Sequence, residues 1–368
     1  MSPPLLQRLV LVTTAVLCVA SASLFNSPPR GDDGAKSAHE AAVLDRIFAN
    51  WQARHDRVRS FHFTYDCRTT YRKGKLDLSS EPRTKLDHDQ SFDQFGIQLW
   101  VDEDRVCLLM TPSFKVPIAK PTDTSRVVAR SVTAGDTSYM YYSARWWETG
   151  QPQHPPFAPY GLLYPRTVSN AETPNFAFQA LALTFRTGHP WPFLKREQCR
   201  LVDENAVIDN GHCTQFHRVL KGENPGEETL WVSPVRGDVV VHWTTFAPGS
   251  KAEGSVKYKK DERYGWIPWE WTCDYPGHML EECKVTAYGI NEKIDPAIFS
   301  LDFPPGTPVV DSLALKKPMQ NPLAFEAIRY YVVQPGGSKR AISHDEFNRL
   351  AHLGNPFKPQ RPAKPQAK

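Results

Sequence analysis

The chain has 368 residues, of which 40% are hydrophobic and 11% aromatic, enough for a large core and too much for a fibrous or disordered protein. Its 32 prolines disfavour long helices and favour strands joined by Pro-bearing loops. The formal charge is +4, and the basic excess lies in the C-terminal run NPFKPQRPAKPQAK, so the nearly neutral body lacks the basic stripe that nucleic-acid binding needs.

In chain order, the first eight residues carry one positive charge, Arg8, and Leu9 opens an almost wholly apolar run to Val19. Ala20, Ser21 and Ala22 supply the small residues of a signal-peptidase site, so residues 1–22 read as a secretory signal. Stretched to Phe25, the apolar run reaches about 17 residues, the short limit for spanning a bilayer, and an uncleaved inner-membrane anchor is the alternative. Leu17 stands where lipoprotein processing at Cys18 would want a small residue. Residues 23–38, rich in Pro, Gly and Asp, read as a flexible spacer. The expected location is periplasmic or secreted.

Six cysteines follow the leader: Cys67, Cys107, Cys199, Cys213, Cys273 and Cys283. An even number in an oxidising compartment implies disulfides. A hairpin turning through residues 274–282 would set Cys273 opposite Cys283, with Trp271 opposite Val285. Cys199 with Cys213 is the next pair by proximity, and Cys67 with Cys107 remains by elimination.

Between residues 40 and 58, Val43, Leu44, Ile47, Phe48, Trp51 and Val58 recur at three- and four-residue spacing, which predicts one amphipathic helix. The period then switches to two, with Phe61, Phe63, Tyr65 and Cys67 on one side of a first strand. Hairpins are expected around the acidic turn Asp102-Glu103-Asp104 and around Ala134-Gly135-Asp136. Residues 146–170 show no period and read as a long loop, a candidate lid carrying Tyr160, Leu162, Leu163 and Tyr164 with Gly161 as its hinge. Residues 175–186 predict a short buried helix ahead of Gly188 and Pro190. Strands dominate from there to Gly289, without βαβ alternation or repeat, so the class is α+β or all-β with an antiparallel sheet. Beyond residue 311 a satellite segment to residue 354 holds one strand at residues 330–333 and a helix opened by Ser343 with Glu346, a capping box. The Pro-rich basic tail, residues 355–368, reads as disordered.

The order of exported amphipathic helix, then Trp51, Val58, Ser60, Phe61 and Phe63, then hairpins broken by an inserted helix, resembles the LolA/LppX-type lipoprotein-carrier superfamily of bacterial envelopes. The segments ETLWVSPVRGDVVVHW from Glu228, YGWIPWEWT from Tyr264 and GINEKIDPAIFSLDFPPGTPVVD from Gly289 are similar to its uncharacterised secreted members, so the resemblance covers residues 39–311. It implies an α+β fold: a curved antiparallel sheet forming a half-open β-barrel, with the N-terminal amphipathic helix and the inserted helix packed on it. It further implies a hollow that takes acyl chains. The extra cysteines, the long loop and the C-terminal extension depart from the carrier pattern and put a lipoprotein cargo in question.

Other chemistry is weakly signalled. His212, Cys213 and His217, with Cys199 nearby, offer zinc-ligand types, but exported cysteines pair with each other and a strand sets His212 on the opposite face from His217. No Gly-x-Ser-x-Gly, His-Glu-x-x-His or phosphate-binding glycine loop is present. Trp266, Trp269 and Trp271 could form a stacking platform or a core. The residues 303–307, Phe-Pro-Pro-Gly-Thr, read as a rigid turn closing the sheet. The leading expectation is a non-catalytic, monomeric envelope protein without cofactor or metal, binding a lipid or lipoprotein acyl chain against Phe61, Phe63, Leu99, Val101, Trp269 and Trp271. Membrane or cell-wall association is compatible with the basic tail. The alternatives are a structural module whose barrel is filled by its own side chains and, behind it, a secreted hydrolase.

Overall fold

The computed structural model describes residues 33–72, 90–112, 129–135, 137–142, 160–165, 179–185, 194–220, 226–247, 250–314 and 328–353. The leader, residues 23–32 of the spacer, the flanks of the expected lid and the basic tail lie outside them. The chain divides into two compact units.

The first unit comprises Met1–Phe61, Tyr65–Phe92 and Pro174–Glu292. Helix α1, Asp33–Arg57, starts inside the expected spacer. It buries Leu44, Ile47 and Trp51, the helical stripe read from the sequence, and ends on Arg54, His55 and Arg57, whose charge complements the negative end of the helix dipole. Strand β1, Ser60–Tyr71, follows at once. One side chain makes the junction: Asn291 Oδ1 accepts from the backbone N–H groups of Arg59 and Ser60 at 2.9 and 3.2 Å, and its Nδ2 donates to Arg57 O at 2.7 Å. Asn291 holds a left-handed backbone, φ 56°, which its short polar side chain tolerates.

Elements β2 to β6 belong mainly to the second unit. The next in the first unit is helix α2, Gln179–Phe185, buried on nearly every side and set within residues 175–186, as its composition predicts. Seven strands follow: β7 (Cys199–Ile208), β8 (Gly211–Leu220), β9 (Gly226–Ser233), β10 (Val239–Ala247), β11 (Ser250–Asp261), β12 (Gly265–Tyr275) and β13 (Met279–Ile290). They hydrogen-bond in the order β1-β13-β12-β11-β10-β9-β8-β7. Strand β7 runs unbroken past two register shifts, between Leu201 and Asp203 and between Asp203 and Ala206. Helix α1 is fastened by Asp238, which is fully buried: Arg46 and Asn50 donate to its carboxylate at 2.5 and 2.6 Å, and Trp51 Nε1 donates to its backbone oxygen at 2.6 Å.

The second unit comprises His62–Thr64, Asp93–Thr173 and Lys293–Lys368. Strands β2 (Gln90–Asp102), β3 (Arg105–Pro112), β4 (Ala129–Ala134), β5 (Thr137–Tyr142) and β6 (Tyr160–Pro165) form an antiparallel run with both expected hairpins, the first turning through Glu103 at φ 53°. Beyond β6 come β14 (Pro308–Asp311), β15 (Arg329–Val333) and β16 (Lys339–Ala341), followed by helix α3, His344–Leu353, whose N-terminus has Glu346 N–H donating to Ser343 Oγ as the capping box requires.

Two expectations are corrected here. The sheet is not wholly antiparallel, because β14 pairs with β6 in parallel, Val309 opposite Gly161. Tyr160, Leu162, Leu163 and Tyr164 are not a lid: they are a strand hydrogen-bonded on both edges, and Leu163 packs with Val309, Tyr331 and Val333. Alternation was hidden because both faces of this six-residue strand carry large apolar side chains. Gly161 is not a hinge either. A Cβ there would lie 2.5 Å from the Phe303 ring, so the glycine admits that aromatic ring against the strand.

Candidate functional site

The face of the first unit that carries α1 and α2 is built from rows of directly opposed residues, which share a side of the sheet. One row runs through Phe216, Leu230, Trp243, Gly254, Cys273 and Glu281. The next holds Val256, Trp271 and Cys283. Trp51 of α1 meets Phe216 at 5.7 Å between ring centroids, and Phe185 of α2 meets Phe61 at 5.2 Å. Tyr65 of β1 meets Trp271 at 4.9 Å.

This face is apolar, yet it contains stranded polar atoms. Among the described residues, Tyr65 Oη, Trp243 Nε1, Trp271 Nε1 and Glu281 Oε2 are buried without a hydrogen-bond partner. Burial raises the Tyr65 hydroxyl well above its ordinary range and pushes the Glu281 carboxyl up to about 7, so the acid is largely protonated under mildly acidic conditions and presents an O–H. The thiols are silenced by the same cause: desolvation lifts Cys273 to about 12 and Cys283 well above its ordinary value. None is an activated nucleophile.

The expected site residues fall as follows. Phe61 and Trp271 lie in the first unit and Phe63, Leu99 and Val101 in the second, all fully buried. Trp269 does not share the side of Trp271. Lys257 pairs with Glu270 and Tyr258 with Pro268, which leaves Trp269 as the extra residue of a bulge, with the Lys259 ammonium 4.7 Å from its ring centroid. Trp266 packs elsewhere, against the cluster of Cys213, Val239 and Val241, so the three tryptophans form no common platform.

The cysteine pairings read from spacing are also corrected. The structure joins none of these six sulfurs to another. Cys273 stands opposite Glu281, and Cys283 opposite Trp271, because the hairpin turns about Gly277, through residues 276–278, and not about His278 as the expected register required. Cys199 faces Arg218 while Cys213 faces Ala206 along the β7–β8 ladder, which keeps them apart. Cys67 belongs to the first unit and Cys107 to the second, where Arg130 lies beside the Cys107 thiol. His217 Nδ1 lies 3.3 Å from Thr229 Oγ1. Among the described residues no group of three or more His, Cys, Asp or Glu is placed to hold a metal ion, and no helix is long and apolar enough to cross a membrane.

Sequence reasoning missed Tyr65, Trp243 and Glu281. The first two were legible as strand residues, but that their polar atoms are stranded depends on which neighbours the sheet supplies. Glu281 had a signal: it shares the alternation of Cys283 and Val285, so a charged residue was due on a buried side.

No family model matches the chain, and no curated protein matches it by sequence. Among solved structures it is similar to an outer membrane lipoprotein-sorting protein domain from Vibrio parahaemolyticus, at 11% identity and a TM-score of 0.39, over 70% of this chain and 97% of that one. It is also similar to a DUF1329 family protein from Desulfovibrio piger, at 10% identity and a TM-score of 0.38, over 70% of this chain and 96% of that one. The functional reading rests on this chain's own residues.

Proposed function

We propose that this chain is an exported, non-catalytic envelope protein whose first unit binds an apolar molecule, a lipid or the acyl group of a lipoprotein, on the helix-covered face of its sheet. What supports the reading is the cluster of stranded donors on that face: the Tyr65 hydroxyl, the Trp243 and Trp271 indoles and the protonated Glu281. Each buried polar group left unbonded costs about 1–3 kcal/mol, and native proteins keep few of them. Several donors set among Phe61, Phe185 and Phe216 suit a ligand with an apolar body and carbonyl oxygens, which is the chemistry of an acyl ester. Export rests on the leader-like N-terminus.

The competing reading, a structural module with a filled interior, is favoured by one observation: the Trp243 ring lies directly on Gly254, where an added Cβ would meet it at 2.0 Å. Titration of the full chain with a fluorescent fatty-acid analogue separates the two. The ligand-binding reading expects saturable binding near micromolar Kd, weakened about tenfold in Tyr65→Phe/Trp271→Phe, since that change removes two donors and keeps an aromatic ring at both positions. Absence of saturable binding favours the filled interior.

A further inference from the structure

Strands β1 and β13 are neighbours in the first unit, and one hydrogen bond at the end of their ladder fixes the register there: Arg72 N–H donates to His278 O at 2.8 Å. Opposed antiparallel residues keep a constant sum of numbers until a bulge intervenes, so stepping inward from Arg72 and His278 brings Thr69 opposite Glu281 and Cys67 opposite Cys283; the far end, where Asn291 N–H donates to Ser60 O, is one residue out of step, and the shared burial of Cys67 and Cys283 beside the exposed Lys284 keeps the shift beyond Cys67. Successive pairs alternate between hydrogen-bonded and non-hydrogen-bonded, and Arg72 with His278 is of the first kind. Cys67 with Cys283 is therefore a non-hydrogen-bonded pair. In such pairs the Cα atoms stand roughly 4.5 Å apart with side chains drawn close, inside the roughly 4.4–6.8 Å that a disulfide spans. Both sulfurs lie on the buried side of the sheet, near enough for Cys67 to push the Cys283 thiol up.

We propose that Cys67 and Cys283 form a disulfide in the mature protein, clasping the strand that follows α1 to the last strand of the first unit. The bond is new to the pairings that spacing suggests, and it joins residues that the fold alone brings together. Its formation is a thiol–disulfide exchange. One cysteine thiolate attacks a small-molecule or protein disulfide and releases a thiol; the second then attacks the mixed disulfide, so two Cys S–H bonds are replaced by one S–S bond and the oxidant leaves as two thiols. The exchange takes place as the chain folds, while both sulfurs are still hydrated and their thiolates accessible. Once the strands are buried the bond is protected, and the thiol nearest it among the described residues is inert. Cys273 is displaced along the ladder from Cys283, opposite Glu281, and desolvation holds its thiol at about 12, too high to supply an attacking thiolate at neutral pH. The pairing therefore does not reshuffle to Cys273.

The inference does not depend on lipid binding, and its test does not use lipid. The full chain is unfolded and reduced, refolded in a mixture of reduced and oxidised glutathione, alkylated without reduction, and digested for peptide mass mapping. A linked peptide pair containing Cys67 and Cys283, with Cys273 alkylated, is the expected result. Recovery of Cys67 and Cys283 both alkylated, or of Cys273 linked to Cys283, overturns the proposal. A second measurement needs no assignment of peptides. Adding a reductant should lower the thermal midpoint of the refolded wild type by about 5 °C, the scale of a disulfide closing a long loop in a chain of this size. The Cys67→Ser/Cys283→Ser chain should be insensitive to the same reductant. Equal responses of the two chains contradict the assignment.

Discussion

At the scale of single residues, the account turns on groups buried where water is not available to them. Glu281 is the clearest. Desolvation raises its folded value to about 7 from an ordinary 4.5, so between those values the folded chain holds a proton that the unfolded chain releases. Its contribution is therefore full below about pH 4.5 and is lost as pH rises through 7. Urea denaturation should find the first unit less stable at pH 8 than at pH 5, with about 2 kcal/mol of the difference absent in Glu281→Gln. An unchanged pH dependence in that variant would show that Glu281 is hydrated. Gly254 tests the opposite quality, tightness. Gly254→Ala places a methyl into the Trp243 ring and should destabilise by about 1–3 kcal/mol in the same assay, whereas a neutral effect would mean that Trp243 can move aside.

Among the elements, helix α1 was legible from spacing alone because Leu44, Ile47 and Trp51 mark its buried stripe. What holds it was not legible. Asp238 and Asn291 lie about two hundred residues away in sequence, and nothing local distinguishes them from turn residues. Asn291→Ala leaves the N–H groups of Arg59 and Ser60 and the Arg57 carbonyl to find other partners, and should cost about 2 kcal/mol, measured by chemical denaturation. Strand β6 makes the reverse point. Tyr160 to Pro165 looked like a loop because its residues are apolar on both sides, and only the parallel partner Val309 explains why. Amide exchange should therefore be slow for Gly161 to Leu163 with or without an added acyl ligand; rapid exchange that slows on ligand binding would restore the lid.

For the whole molecule, composition and alternation were enough to read an α+β chain rich in antiparallel strands, since the period of two survives wherever one face is polar. They could not supply register. A slip of two residues separates the expected contact of Cys273 and Cys283 from the observed opposition of Cys283 to Trp271, and register is set by turn length and bulges that the residues between 257 and 278 do not announce. The candidate face was half legible for the same reason: Phe61 and Trp271 were foreseen, while the stranded atoms of Tyr65, Trp243 and Glu281 emerge only once strands distant in sequence are aligned. The central claim is that these atoms await an apolar ligand bearing carbonyl oxygens. Native mass spectrometry of the full chain after exposure to a bacterial lipid extract tests it most directly. The account predicts a retained mass of one lipid molecule that diminishes in Tyr65→Phe/Trp271→Phe; a bare protein mass, with the chain folded, would contradict it.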